Sequence, residues 1–112
     1  MNSTINQQIF ALNVAKLIQY IYEQNHSCTL GEAFRTSEQA ELYAKEGKGI
    51  KNSLHCRRLA IDLNLFSPDD KYLKAYDDYE PFGLYWEELH ADNRWGGRFM
   101  RLDLQHFEMK EE

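Results

Sequence analysis

The sequence lacks the features that mark membrane and secreted proteins. Its 112 residues contain no apolar run near the roughly 20 residues that a membrane-spanning helix requires. The first ten residues, MNSTINQQIF, have neither the basic start nor the continuous apolar stretch of a signal peptide. We therefore expect a protein kept in a cytoplasm, without membrane insertion. Such a protein depends on another component to reach any substrate outside the membrane.

Cysteine and clustered positive charge are also scarce. The two cysteines, Cys28 and Cys56, lie at no metal-ligand spacing, and we interpret them as free thiols. Basic residues number 13 against 18 acidic residues, and the densest basic pair is Arg57–Arg58. Because nucleic-acid binding needs a clustered positive footprint, we expect no nucleic-acid partner.

What remains is the composition of one globular domain. An apolar fraction of 43% in a chain of this length is enough for a hydrophobic core without disulfide bonds. There is no repeat, linker or low-complexity tract, although the acidic, tyrosine-rich stretch 71–80 has no clear pattern. We predict a single domain over residues 1–112, and we expect it to be a monomer.

Three segments have helical patterns. Apolar residues recur at helical spacing over residues 4–24. Ser37 is expected to cap a second helix that runs through about Lys45. Pro81 is expected to begin a third helix that runs through about His90, because proline is favoured in the first helical turn.

Residues 59–66 alternate between apolar and polar side chains, which predicts a strand with one buried face and with Asp62 on the other face. Residues 29–35 predict a short strand or extended segment, and short extended pieces follow residue 97. The glycine-containing stretches 46–53 and 93–97 are interpreted as loops. Together the patterns predict an α+β domain, in which helices pack on one side of a short antiparallel sheet.

Three residues have the chemistry of a zinc site. His55, Asp62 and His106 could supply two imidazoles and one carboxylate, which zinc accepts in a catalytic site that keeps one position open. Asp103 lies three residues before His106, so a tight turn would bring its carboxylate to the same place as a general base. Spacing alone leaves the alternative open that these histidines are ordinary surface or hydrogen-bonded residues.

The first of these segments resembles a known motif. The pattern Ser53-x-His55-x-x-x-x-Ala60-x-Asp62 is similar to the Ser-x-His-x-x-Gly-x-Ala-x-Asp motif of the zinc D-alanyl-D-alanine carboxypeptidase family. That family includes VanY-type enzymes and phage L-alanyl-D-glutamate endopeptidases. The family glycine is replaced by Arg58, so close backbone packing there must be relaxed or the position must have another role.

Two further segments extend the resemblance over residues 29–108. Asp103-x-x-His106 resembles the second family motif, in which an acidic residue precedes the last zinc ligand by three positions. The segment Trp95-Gly-Gly-Arg-Phe99 is similar to a loop of the phage members.

The resemblance implies roles for particular residues. Zn2+ would be bound by His55, Asp62 and His106, and Asp103 would be the catalytic base. The residues expected to contact substrate are Arg35, Ser53 and Trp95.

The implied activity is hydrolysis of an amide bond in peptidoglycan stem peptides, by an L-alanyl-D-glutamate endopeptidase that acts as a phage-type endolysin in a host cytoplasm. Two alternatives are a D-alanyl-D-alanine carboxypeptidase and a non-catalytic zinc-containing module that binds the cell wall. A third is an α+β binding domain without metal, which would require the motif to be accidental.

Overall fold

The computed structural model describes residues 3–47 and 53–111, and the elements below belong to these ranges. The helices are α1 (Ser3–Glu23), α2 (Ser37–Lys45) and α3 (Tyr76–Leu89), with short 3-10 helices at Leu54–Arg57 and Gly96–Arg98. The strands are β1 (Ser27–Leu30), β2 (Ala60–Phe66), β3 (Asn93–Trp95) and β4 (His106–Met109). The predicted α+β class is confirmed. None of the helices in these ranges has the length and apolar character needed to span a membrane.

The four strands form one antiparallel sheet in the order β1-β2-β4-β3. The last strand in sequence therefore lies inside the sheet, between β2 and β3. In its register with β2, Asp62 lies opposite His106. In its register with β3, Arg94 lies opposite Glu108. These pairs connect chain segments that are distant in sequence.

The two faces of the sheet have different roles. Ile61, Leu63 and Leu65 of β2 are buried on one face, and the intervening Asp62 and Asn64 are only partly buried, as the alternation predicted. Helices α1 and α3 pack together on the apolar face. The core combines residues of both helices and the sheet: Phe10, Leu17, Ile21, Tyr79, Phe82, Trp86, Leu63, Leu65, Trp95, Phe107 and Met109. The opposite face of β2 and β4 carries the polar groups.

Trp86 of α3 ties this helix to strands β3 and β4. Its indole N–H donates to the backbone oxygens of Arg94 (3.1 Å) and Glu108 (3.0 Å), and its ring meets Phe10 edge to face at 5.6 Å. A fully buried indole whose N–H is satisfied contributes both apolar area and a fixed orientation. The register of β3 and β4 is therefore supported from the core side.

The predicted start of α3 at Pro81 is wrong, because the helix begins at Tyr76 and includes Pro81. The Asp78 side chain accepts a hydrogen bond from the backbone N–H of Ala75 (3.2 Å), which stabilises the first turn five residues earlier than expected. Asp77 and Asp78 also place negative charge at the positive end of the helix dipole. The unplaced stretch 71–80 thus contains the true helix start.

Other boundaries differ less. Thr36, rather than Ser37, caps α2, and its side chain accepts from the Gln39 N–H at 3.1 Å. The short strand or extended segment predicted over 29–35 is a strand at Ser27–Leu30, followed by residues 31–36 without regular secondary structure. The expected loop 93–97 is instead β3 followed by the start of a 3-10 helix. Most of the predicted loop 46–53 lies outside the described residues.

The predictions for α1, β2 and the cysteines hold. Helix α1 matches its predicted span to within a residue, and β2 starts one residue later than expected. Cys28 and Cys56 form no disulfide and are free thiols.

Candidate metal centre

Three side chains converge on the polar face of the sheet. His55 comes from the first 3-10 helix, Asp62 from β2 and His106 from β4, and one ligand atom of each lies within 4.8 Å of the other two. Asp62 Oδ1 is 3.4 Å from His55 Nε2 and 3.3 Å from His106 Nδ1. The structure therefore brings together the three residues that the sequence predicted as metal ligands.

Local backbone structure holds His55 in place. The Ser53 hydroxyl caps the 3-10 helix by accepting from the His55 N–H at 3.1 Å. The His55 Nδ1 lies 3.1 Å from the backbone oxygen of Ala33, which can only accept, so Nδ1 carries the proton. The other ring nitrogen, Nε2, faces Asp62 Oδ1 and is the one directed at the site, and a metal binds an imidazole through an unprotonated ring nitrogen.

Arg58 occupies the position of the family glycine and keeps the backbone conformation that favours glycine. It ends the 3-10 helix with a φ of 57°, in the left-handed region. Its guanidinium lies 4.1 Å from the centroid of the Phe34 ring, a cation–π contact. The glycine position therefore has a new role, in which its side chain packs on the segment that flanks His55.

His106 is held by its own strand and by a tight turn. Its backbone N–H donates to the Asp103 oxygen at 3.1 Å, which closes the turn that the three-residue spacing required. Its Nε2 lies 2.7 Å from Glu108 Oε1, and its Nδ1 faces Asp62. The two histidines thus present different ring nitrogens to the same point.

The donor set fits a metal ion. Asp62 Oδ1 is buried and has no hydrogen-bond partner among the described residues, an arrangement that is costly unless a cation or proton is supplied. Burial opposes the charge of Asp62, but the two imidazoles outweigh burial and lower the pKa to about 2. Burial likewise opposes a charged His106, yet Asp62 and Glu108 raise its pKa to about 9. A proton and a metal therefore compete for this pocket of negative charge.

Asp103 lies at the edge of the same group. Its Oδ2 is 3.8 Å from His106 Nδ1, and about half of its side chain is exposed towards the cleft. Burial is the main cause that raises its pKa, and the charge of Asp62 adds to the effect. Gly96 fixes the backbone here, because its oxygen accepts from the Asp103 N–H at 3.1 Å and a Cβ at Gly96 would overlap the Asp103 oxygen. A carboxylate with a raised pKa beside a metal site is suited to general-base catalysis.

The group opens into a cleft of about 520 Å3. The lining residues besides the histidines and aspartates are Arg35, Ser53, Phe99, Arg101, Leu102 and Glu108. Arg35 donates to Glu32 Oε1 from Nε at 2.7 Å, and its guanidinium lies 5.0 Å from the Tyr43 ring centroid. Its backbone N–H donates to the His55 oxygen at 3.1 Å, which links this cation to the segment that carries His55.

Trp95 does not line the cleft, and its expected position is corrected. Its side chain is fully buried in the core, and its indole N–H donates to the Leu104 oxygen at 2.8 Å. The aromatic cleft wall is Phe99, whose ring centroid is 5.7 Å from that of His106.

Sequence reasoning also missed Glu108 and Arg101. Alternation along a strand from His106 would have placed Glu108 on the same face.

An α+β domain with a His-Asp-His group and a nearby carboxylate in one cleft has the composition of a metallopeptidase site. A family model described as D-alanyl-D-alanine carboxypeptidase matches residues 46–109, more than half of the chain. The chain therefore belongs to this family and is a peptidase of the kind that hydrolyses peptidoglycan. A comparison with curated proteins found no match.

A solved structure shares the fold. The crystal structure of the Serratia marcescens L-Ala D-Glu endopeptidase ChiX is similar with a TM-score of 0.64 and 18% sequence identity. The similarity covers 75% of this chain and 67% of that chain. At this level of identity the likeness is evidence for the fold alone.

Proposed function

We propose that the chain is a zinc-dependent L-alanyl-D-glutamate endopeptidase that cleaves peptidoglycan stem peptides. The observation that carries the proposal is the convergence of His55 Nε2, Asp62 Oδ1 and His106 Nδ1 beside a fourth group, Asp103, that faces the cleft. A purely structural metal site would not need that additional carboxylate. ChiX, which shares the fold, is an L-Ala D-Glu endopeptidase, and this supports the choice of bond.

In this proposal each residue has one role. Zinc bound by His55, Asp62 and His106 would supply Lewis-acid activation of water and of the scissile carbonyl. Asp103 takes the proton from the attacking water and delivers it to the leaving amine. Arg35 donates hydrogen bonds to a carboxylate or carbonyl of the substrate, for which a guanidinium is well suited. Ser53 contributes to substrate binding indirectly, because its hydroxyl holds His55 in position.

The test combines metal content with product analysis. Wild type, Asp103→Asn and His106→Ala are assayed for bound zinc and for peptides released from purified peptidoglycan, with Asp77→Asn as a control outside the cleft. We expect Asp103→Asn to keep zinc and lose about 10²–10⁴-fold in rate, because a general base contributes that much. His106→Ala should lose the metal, and Asp77→Asn should behave as wild type.

Mass spectrometry identifies the bond that is cut. New amino-terminal D-glutamate on the released peptides supports the endopeptidase, whereas release of terminal D-alanine alone would replace it with the carboxypeptidase alternative. Zinc binding and cell-wall binding without hydrolysis would move the function to a non-catalytic module.

We further propose a phage-type endolysin role, in which the enzyme waits in the host cytoplasm. The resemblance of residues 95–99 to the phage members supports this role. Expression in bacteria with and without a pore-forming membrane protein tests it. Lysis should require both proteins, and lysis by the enzyme alone would contradict the expected dependence on release.

A further inference from the structure

A buried carboxylate lies beside His106, at the ring nitrogen that does not face Asp62. Glu108 Oε1 is 2.7 Å from His106 Nε2, and the Glu108 side chain is only 8% exposed. Its second oxygen, Oε2, pairs with the guanidinium of Arg94. A carboxylate cannot donate, so the proton of this hydrogen bond belongs to His106 Nε2.

The strand register builds this arrangement. His106 and Glu108 are two residues apart on β4, so their side chains lie on the same face of the sheet. Arg94 lies directly opposite Glu108 on β3, and Ala60 lies opposite it on β2. The small side chain of Ala60, 1% exposed, leaves room for the Glu108 carboxylate between the two neighbouring strands.

His106 needs this support more than His55 does. A histidine ring that can turn over presents either nitrogen, and only the deprotonated one can bind a metal. The proton of His55 is directed by a backbone oxygen, that of Ala33, which a side-chain substitution does not remove. The proton of His106 is directed by a side chain alone, since Glu108 is the acceptor at Nε2.

We propose that Glu108, anchored by Arg94, is a positioning residue that holds the His106 ring with its Nε2–H bonded to Glu108 and its Nδ1 directed at Asp62. Outer carboxylates of this kind orient ligand histidines and raise their basicity, and their loss typically costs about 10–100-fold in metal affinity. Arg94 is about half exposed, and it orients the Glu108 carboxylate through an ion pair rather than by contact with His106. The proposal rests on zinc binding at the proposed active site, but not on the identity of the bond that is cut.

The experiment measures zinc affinity by chelator competition on the full chain, separately from hydrolysis. The variants are Glu108→Met, Glu108→Gln and Arg94→Met. Glu111→Gln is the control, since Glu111 pairs with Arg57 at 3.1 Å and lies outside the cleft. We expect Glu108→Met to weaken zinc binding by about 10–100-fold. Glu108→Gln should lose less, because its amide oxygen still accepts from Nε2, and Arg94→Met should also lose less.

A second readout separates positioning from general stability. Long-range ¹H–¹⁵N spectra of the zinc-loaded chain report which nitrogen of His106 carries the proton. Wild type should show a single form with the proton on Nε2, and Glu108→Met should show a mixture or the opposite form. If Glu108→Met does not fold, the same spectra and affinities for Glu108→Gln and Arg94→Met decide.

Equal zinc affinity in the folded Glu108 and Arg94 variants, with the wild-type His106 spectrum, would overturn the inference while leaving the proposed function intact. If zinc affinity falls most in Glu108→Met and less in Glu108→Gln and Arg94→Met, but the wild-type chain has no hydrolytic activity, the inference is supported and the proposed function is refuted. A wild-type chain that binds no zinc would overturn both.

Discussion

Zinc uptake should depend steeply on pH because of His106. In the metal-free chain the charges of Asp62 and Glu108 overcome burial and raise its pKa from 6.5 to about 9. The imidazole is therefore protonated at neutral pH, and zinc must displace that proton to reach Nδ1. The proton and the metal occupy the same pocket of negative charge, so the groups that attract one also retain the other.

The expected size of the pH effect follows from the difference between the ordinary histidine pKa of 6.5 and the raised pKa of His106, about 9. With a pKa of about 9, roughly one chain in 300 has a neutral His106 at pH 6.5, and roughly one in four at pH 8.5. Apparent zinc affinity should then rise about 75-fold over this range from His106 alone. A histidine at its ordinary pKa of 6.5 would give only about a twofold rise.

Competition with a chelator of known pH dependence measures this rise. Calorimetry in buffers of different ionisation enthalpy counts the protons released, and release should persist well above pH 7. Affinity that is flat between pH 7 and 8.5 would refute the reasoning.

Without metal, the raised pKa of His106 adds stability that is complete below pH 6.5 and is lost as pH rises through about 9. The raised pKa corresponds to at most about 3 kcal/mol in the free energy of unfolding. Denaturant unfolding of the metal-free chain at pH 6.5 and at pH 8.5 would detect the loss.

Further substitutions test the turn at position 58, the packing around Trp95 and the substrate role of Arg35. Arg58→Ala and Arg58→Gly both lose the contact with Phe34, but only alanine keeps the left-handed strain. Arg58→Ala should therefore be less stable than Arg58→Gly by about 1 kcal/mol in denaturant unfolding; equal stability would contradict the strain at this position. Gly83→Ala places a methyl group inside the Trp95 ring and should cost about 1–3 kcal/mol, although alanine favours helices; a rise in melting temperature would contradict this packing. Arg35→Ala should raise KM about 10–100-fold with zinc content unchanged, because a charged hydrogen bond contributes about 1.5–3 kcal/mol; unchanged KM would remove it from substrate binding.

The half of the site on β2 could be predicted from the sequence. Strict alternation over residues 59–66 put Asp62 on the face opposite the core, and the burial of Leu63 and Leu65 follows that pattern. The spacing of Asp103 and His106 required a tight turn, which the structure contains. These features are local, so they depend on periodicity and turn geometry that a short segment carries by itself.

The features that were missed depend on pairing between distant segments. Residues 93–97 were interpreted as a loop, and without β3 there was no partner to place beside Glu108. Trp95 was expected in the cleft, but a strand residue points to one face or the other, and its register opposite Phe107 puts it in the core. Pro81 does not mark the helix start, because the acidic residues before it favour a helix N-terminus and the first turn forms around them.

The spacing of the first motif has a physical explanation in this fold. Ser53 caps the turn that carries His55, and the left-handed residue at position 58 reverses the chain into β2. Two residues later a small side chain, Ala60, is needed opposite the buried Glu108, and two residues after that Asp62 returns to the same face opposite His106. Each motif position is thus explained by a cap, a turn, a close contact or a candidate metal ligand. Arginine is tolerated at position 58 because the backbone conformation, rather than the absence of a side chain, is what the turn requires, and its side chain lies over Phe34 instead of entering the site.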